Sequence, residues 1–467
     1  MFQSVWRERL RRSRMMSCRA LKEALERRRL QLAEWALTGL MRVALPVGLR
    51  TRSVSLDRLP AAERGRRYGL YLHVPFCETL CPYSSFHRVP FCPDLAERYF
   101  DGLEREMRMA AELGYRCDAL YVGGGTPTVA VDRLIGALDL AGELFGVRDI
   151  SCETHAHHLN PEIAGRLTGR VQRLSVGVQT LDVDILRRMR REPDLFPPAK
   201  TLDAIREMNA LFPTLNVDLI FNLPGQTLGG LRDDLDGVLG TGVKQVTTYP
   251  LMSSPGVSRR LERELGGRNG AREHEMYQTI EERMAEEGML ASSPWCFSRP
   301  GGGLMDEYIV DAPEYLGLGS GAFSLLDGAW YVNTFSLRRY AARIDAGRMS
   351  LERMRRFQPW ELRHYGLMMA LFGLDPKLAR SALLAGGVLG EAEMLALRCV
   401  GAFSRNERGK AVMSHNGRYL ALVMMREFFA GMNRVRDELR AALPVGERID
   451  LAMLGGEDHD CPAFRAK

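Results

Sequence analysis

The 467-residue chain has no run of 18 consecutive apolar residues, so no membrane-spanning helix is expected. Cysteine is sparse and scattered, at positions 18, 77, 81, 92, 117, 152, 296, 399 and 461. An odd, unframed set of nine excludes a disulfide-built secreted scaffold and suits a reducing, cytoplasmic setting. Acidic residues are scarce at one end only. Residues 1–59 hold 14 Lys/Arg against 5 Asp/Glu, a balance of +9, which leaves −3 for the rest of a chain whose total is +6. With no basic stripe elsewhere, a nucleic-acid partner is not expected. A signal peptide is not expected either, because Lys22, Glu23, Glu26 and Arg27–Arg29 interrupt the apolar stretch it needs. No internal repeat or low-complexity tract occurs.

One further absence concerns a single atom. Residues 71–87 read YLHVPFCETLCPYSSFH. Cys77 and Cys81 have three residues between them, and Ser84 follows after two more. A thiol at 84 would complete a Cys-x3-Cys-x2-Cys loop, which holds three irons of a [4Fe–4S] cluster and leaves the fourth open; thiolates are the usual ligands of such clusters. A serine oxygen is harder and far more basic. Three outcomes follow. Ser84 oxygen or water completes the ligand set, Cys92 substitutes for the missing thiol, or the cluster is lost.

What is present reads as a soluble globular protein, with 46% hydrophobic and 26% charged residues. From residue 66 short apolar runs alternate with helix-like segments. Strands are expected at 68–74, 118–123, 149–154, 172–178, 214–221 and 244–250, with helices such as 94–113 and 129–145 between them. This alternation predicts an α/β chain with a parallel sheet. Pro250 to Gly256 breaks the pattern, 270–290 is helical, 294–304 reads as loop, and 313–341 returns to the sheet. Beyond Gln358 the chain reads as helical, with Met368, Met369, Met394, Met424 and Met425 as core filling. The expected division is a basic helical extension (1–62), a barrel (63–355), a C-terminal helical domain (356–450) and a tail (451–467). Residues 29–49 read as an amphipathic helix packed on the core with its basic face in water. The alternative for residues 1–59 is an arm that contacts a membrane surface or a protein.

Four later segments follow the cysteine loop in order: YVGGGTPT (121–128), RLSVGVQTLDVDILRRMRRE (173–192), NVDLIFNLPGQT (216–227) and YLGLGSGAFS (315–324). Together with the loop they resemble the radical S-adenosylmethionine (SAM) branch that includes oxygen-independent coproporphyrinogen III oxidase and related haem chaperones. The resemblance spans roughly residues 66–440. Phe86 stands where the oxidases tend to carry a further Cys, so the likeness is closer to the chaperones and carbon-transfer homologues.

The resemblance implies a partial (β/α)6, TIM-like barrel with active residues at the C-terminal ends of the strands. It implies a [4Fe–4S] cluster on Cys77 and Cys81, SAM as cofactor, an organic substrate of small size such as a tetrapyrrole, and a reductant such as flavodoxin or ferredoxin. Gly123, Gly124, Gly125 and Thr126 would receive the SAM amino group, and Glu153 would add a polar contact. Gln179 would meet the ribose and Arg191 the carboxylate, although Arg187, Arg188 and Arg190 stand beside it. Asp218 would be a second ribose contact, and Tyr71 would order the sulfonium region. Gly317, Gly319, Gly321 and Ala322 would let the chain pass close to a ligand. His155, His157 and His158 read as a solvated or substrate-facing loop, not a metal site, with a turn at Asn160-Pro161. Two functions stay open: an enzyme that cleaves SAM reductively, or a non-catalytic homologue that binds SAM or a tetrapyrrole as carrier, chaperone or regulatory partner.

Overall fold

The computed structural model describes residues 2–252, 258, 262–263, 266–267, 270–301, 312 and 314–447, with side chains from residue 24 onward except at 271 and 445. The breaks expected at 253–256 and 302–304, and the tail from 451, lie outside the described residues.

Six β/α units form the body. β1 (Tyr68–Val74) leads to α2 (Pro93–Glu112), after a first helix α1 (Phe2–Gly48). There follow β2 (Cys117–Gly124), α3 (Val131–Phe145), β3 (Asp149–His155), α4 (Pro161–Leu167), β4 (Arg173–Gln179), α5 (Val183–Arg188), α6 (Pro198–Met208), β5 (Thr214–Phe221), α7 (Leu228–Leu239) and β6 (Gln245–Pro250). β1 to β6 are hydrogen-bonded in chain order, all parallel. Sequential neighbours are the order of a barrel wall, whereas a doubly wound sheet reverses direction part-way.

Antiparallel strands extend both edges. After α8 (Glu273–Glu286), β7 (Cys296–Ser298) pairs with β6, where a loop was expected. β8 (Tyr315–Leu318) returns to pair in parallel with β1, and β9 (Phe323–Leu326), β10 (Ala329–Asn333) and, after α9 (Leu337–Asp345), β11 (Leu351–Arg356) continue outward. Two-residue strands at Arg52–Ser53 and Leu290–Ala291 finish the thirteen-stranded sheet, whose ends do not pair with each other. The barrel is therefore open.

Local signals set the helix starts. Asn160 accepts from Ile163 N at 3.0 Å ahead of Pro161, so the Asn-Pro pair caps α4 and is not a free turn. Asp182 caps α5 and Thr227 caps α7 in the same way.

The C-terminal part holds α10 (Pro359–Phe372), α11 (Pro376–Leu384), α12 (Gly387–Cys399) and α13 (His415–Ala441), plus a short hairpin of Phe403–Arg405 with Ala411–Met413 that the helical reading did not foresee. Met368, Met369 and Met425 are buried, and Met394 and Met424 pack against the same core. α13 packs on α1, where Arg42 Nε meets Glu427 at 2.9 Å. The first helix differs from expectation. It starts at residue 2, not 29, and its described part is apolar on two faces. Leu30, Leu37, Met41 and Leu45 lie on the core, while Leu32, Trp35, Leu40, Val43 and Val47 are exposed. Opposed apolar stripes cancel the amphipathic asymmetry that the reading assumed.

Candidate functional site

A cavity of about 300 Å³ opens at the C-terminal ends of the parallel strands. Tyr71, Cys77, Cys81, Ser84, Gly124, Gly125, Thr126, Glu153, Gln179, Arg191 and Asp218 all line it, so the structure gathers residues from five strands. Gly123 lies just behind, at the end of β2. Cys92 does not line it; it stands at the N-cap of α2 and packs against the core.

The glycine turn is dictated by close approach. A Cβ on Gly123 would lie 2.7 Å from a Glu153 carboxylate oxygen. Gly124 has φ +114 and faces the His73 ring, and a Cβ on Gly125 would overlap the Phe76 carbonyl. Gly124 N–H donates to Glu153 Oε2 at 3.1 Å, and Tyr121 O–H donates to Oε1 at 2.9 Å. The turn and the acid thus hold one another.

β4 ends irregularly. The register shifts between Gly177 and Gln179, and Gln179 has φ +75, which turns the chain at the cavity wall. On β5, Asp218 accepts from Ser175 Oγ and Asn216 Nδ2, each at 2.8 Å. Of the four neighbouring arginines only Arg191 lines the cavity. Its Nη1 donates to Tyr83 Oη at 2.8 Å and its Nη2 to the Gly177 carbonyl. Arg187 instead pairs with Asp184 and Asp194, and Arg188 reaches the Pro224 carbonyl at 3.2 Å.

The cysteine loop is held by side chains. Arg88 Nη2 donates to the carbonyls of Cys81 (3.0 Å) and Ser84 (2.9 Å). Arg440 of α13 donates to the carbonyls of Ser85 (2.7 Å) and Phe86 (2.9 Å), and Arg436 lies 4.5 Å over the Phe86 ring. His158 bridges Glu78 (3.0 Å) and Thr128 (2.8 Å), tying the loop to the glycine turn. His158 is therefore packed, not solvated, while His155 faces the cavity as expected. Burial pushes the Cys77 thiol up, against the opposing pull of the Arg88 charge and of Thr126 Oγ1 at 3.6 Å from its sulfur. Burial likewise holds His73 down at about 4 and His87 well below its usual value.

The donor set does not fit a three-thiolate [4Fe–4S] cluster. Two thiols are present, the third position is a hydroxyl that accepts from Phe86 N at 3.5 Å, and Cys92 is directed elsewhere. Among the described residues no three His, Cys, Asp or Glu side chains group as a metal site. The polar lining would suit SAM: Glu153 offers a carboxylate for a cationic amino group, and Asp218 and Gln179 offer polar atoms for a ribose.

Tyr83, Arg88, Arg436 and Arg440 were not singled out in the sequence. Tyr83 and Arg88 carried a weak signal, since Tyr83 stands between Cys81 and Ser84 and Arg88 four residues beyond. The partners of Tyr83 and of the loop lie 108 and 355 residues away, beyond any local pattern.

Parallel strands in barrel order, a glycine turn after β2 and a cysteine loop after β1 define a SAM-type radical barrel. Residues 71–236 match the Radical SAM superfamily, and this segment is a radical SAM domain. The chain is homologous to haem chaperones and oxygen-independent coproporphyrinogen III oxidases. The haem chaperone HemW of Bacillus subtilis is 27% identical over 285 residues, 58% of this chain and 74% of that protein. The oxygen-independent coproporphyrinogen III oxidase of Bradyrhizobium diazoefficiens is 28% identical over 320 residues, 63% of this chain and 70% of that protein. The fold matches that of coproporphyrinogen III oxidase (HemN) from Escherichia coli, with a TM-score of 0.62 and 22% identity over 78% of this chain and 90% of that one. No helix among the described residues is long and apolar enough to cross a membrane.

Proposed function

We propose that this chain binds SAM in the barrel cavity without a resident three-thiolate cluster, and acts as a non-catalytic carrier, chaperone or regulatory partner. The carrying observation is position 84. A hydroxyl stands there, and the loop around it is closed by Arg88 on two backbone carbonyls, so the loop has a fastening of its own that is not metal. The intact wall of Gly124, Gly125, Glu153, Gln179 and Asp218 supports retained recognition of SAM. The relatives named for haem and for coproporphyrinogen III support a tetrapyrrole as a second cargo.

Within this reading the residues have defined tasks. Glu153 attracts the SAM ammonium, and its own position is fixed by Tyr121 and Gly124. Asp218, oriented by Ser175 and Asn216, accepts from ribose hydroxyls. Phe428, Phe429 and Met432 of α13 cover one side of the cavity and exclude water. Anaerobic reconstitution of the wild-type chain with iron and sulfide, followed by iron counting and SAM titration, tests the reading. A colourless protein that binds SAM is expected. A brown protein that releases 5′-deoxyadenosine on reduction would overturn it.

A second reading, reductive SAM cleavage with Ser84 oxygen or water completing the ligand set, is favoured by one observation. Cys77 and Cys81 both remain on the cavity wall beside Thr126. The brown outcome would establish it.

A further inference from the structure

We propose that Arg88 is the carboxylate anchor of this cavity: its guanidinium, in place of iron, receives the methionyl carboxylate of SAM. The inference rests on the SAM-binding reading above and names the group that makes binding workable without a cluster. An α-amino acid head group is a zwitterion, so its pocket needs a carboxylate for the ammonium and a cation for the carboxylate. Glu153 supplies the first.

Among the described residues, three guanidinium groups line the cavity: Arg88, Arg191 and Arg436. Arg191 is committed. One terminal nitrogen donates to Tyr83 and the other to the Gly177 carbonyl, and its residue is only 7% exposed. It braces the cysteine loop against β4. Arg436 lies over the rings of Phe86 and Phe323, at 4.5 and 5.9 Å, on the α13 side of the cavity. Arg88 is different. A single terminal nitrogen, Nη2, makes both of its backbone bonds, to Cys81 and Ser84, and Nε is buried with no hydrogen-bond partner. The group retains donor capacity, since a guanidinium has five N–H donors in a fixed fork. It also hydrogen-bonds the Cys77 sulfur, and its charge opposes the effect of burial there. Arg88 thus lines the cavity beside the two thiols, with Nη2 spent on the loop, Nε buried, and Nη1 making no backbone bond. A carboxylate is the ligand that this charge and its remaining terminal N–H donors fit best.

The test is calorimetric titration of the metal-free, full-length chain with SAM and with 5′-methylthioadenosine, which shares the adenosine and sulfur but lacks the amino-acid head group. Wild type is expected to bind SAM more tightly than methylthioadenosine. Arg88→Ala should weaken SAM by roughly tenfold or more, the scale of a charge-assisted hydrogen bond, with methylthioadenosine affinity held within about twofold. Arg88→Lys, which keeps the charge without the fork, should fall between. Unchanged SAM affinity in Arg88→Ala would overturn the anchor role. So would a parallel loss of both ligands that Arg88→Lys fails to relieve, since that is the behaviour of a loop clamp alone. If wild type binds neither compound, the SAM-binding reading itself fails, and the anchor with it.

Discussion

The two walls of the cavity are built by different means. On one side, β2 to β5 carry Gly124, Glu153, Gln179 and Asp218 at the ends of a parallel ladder, with Gly125 just beyond β2, so backbone pairing sets their positions. On the other, residues 77–88 have one short pairing, Phe76–Cys77 with Val89–Pro90, and are otherwise fastened by Arg88, Arg440, Arg191 and His158. A ladder tolerates little change at its ends. A loop held by side chains can exchange a thiol for a hydroxyl and keep its shape. Under the function proposed above, the contrast accounts for a chain that keeps a SAM-recognising wall without a third thiolate.

The sharpest way to break this comparison is to restore the thiol. Ser84→Cys, reconstituted anaerobically, should rise from negligible iron to about four irons per chain, with a brown absorbance, because it completes the Cys-x3-Cys-x2-Cys spacing. Failure to take up iron in a folded variant would mean that the loop has diverged beyond a single atom.

The next largest effect should come from the ladder side. Gly125→Ala places a methyl against the Phe76 carbonyl and 2.9 Å from that of Val74, both backbone atoms that cannot swing away. A loss of about 1–3 kcal/mol is expected, read as a lower thermal midpoint, together with lost SAM binding. A variant that unfolds and binds like wild type would remove the distinction between the walls.

Acid should act on the loop side. His73 is buried and held at about 4, chiefly by burial, with the Arg436 charge lowering it and the hydrogen bond to the His87 carbonyl raising it. His87 stacks on it at 5.7 Å and is held lower by burial too. Both are neutral when folded. Below pH about 6.5 the unfolded chain takes up protons that the folded chain refuses. The stability is present above that value and lost as pH falls toward 4, on the order of 3 kcal/mol for His73 alone. Thermal midpoints at pH 8, 6 and 5 should fall in that order, and the slope should be shallower in His73→Gln. A flat profile in wild type would count against the assignment.

The smallest effect belongs to Cys92. Since it packs at the start of α2 away from the cavity, Cys92→Ala should leave iron uptake of the Ser84→Cys chain unchanged in a parallel reconstitution. A drop in iron would show that the loop reaches further than its observed ties.

Much of the fold was legible from one dimension. Strands at 68–74 and 214–221 coincide with those expected, and the other four parallel strands differ by a residue at one end or at both. Apolar runs bounded by Gly, Pro and Asn are local signals, and a parallel strand buried on both faces leaves them strongly in the chain. The strand ends that carry Glu153 and Gln179 were readable for the same reason. The short strands at Cys296–Ser298 and Phe403–Arg405 were not, because three residues are too few to show a period. The packing of the first helix on the core was foreseen, and its outward apolar stripe was not.

The amino-acid order by itself determined the parallel barrel wall, the glycine turn and the serine where a third thiol would stand. These depend on local conformation and on the identity of single residues. Only the tertiary structure decided that Arg191 is spent on Tyr83, that Arg88 closes the cysteine loop through two backbone carbonyls, and that Arg440 reaches it from the last helix. A guanidinium sits on a long, flexible stem, and which acceptor it finds depends on what packing brings within its reach.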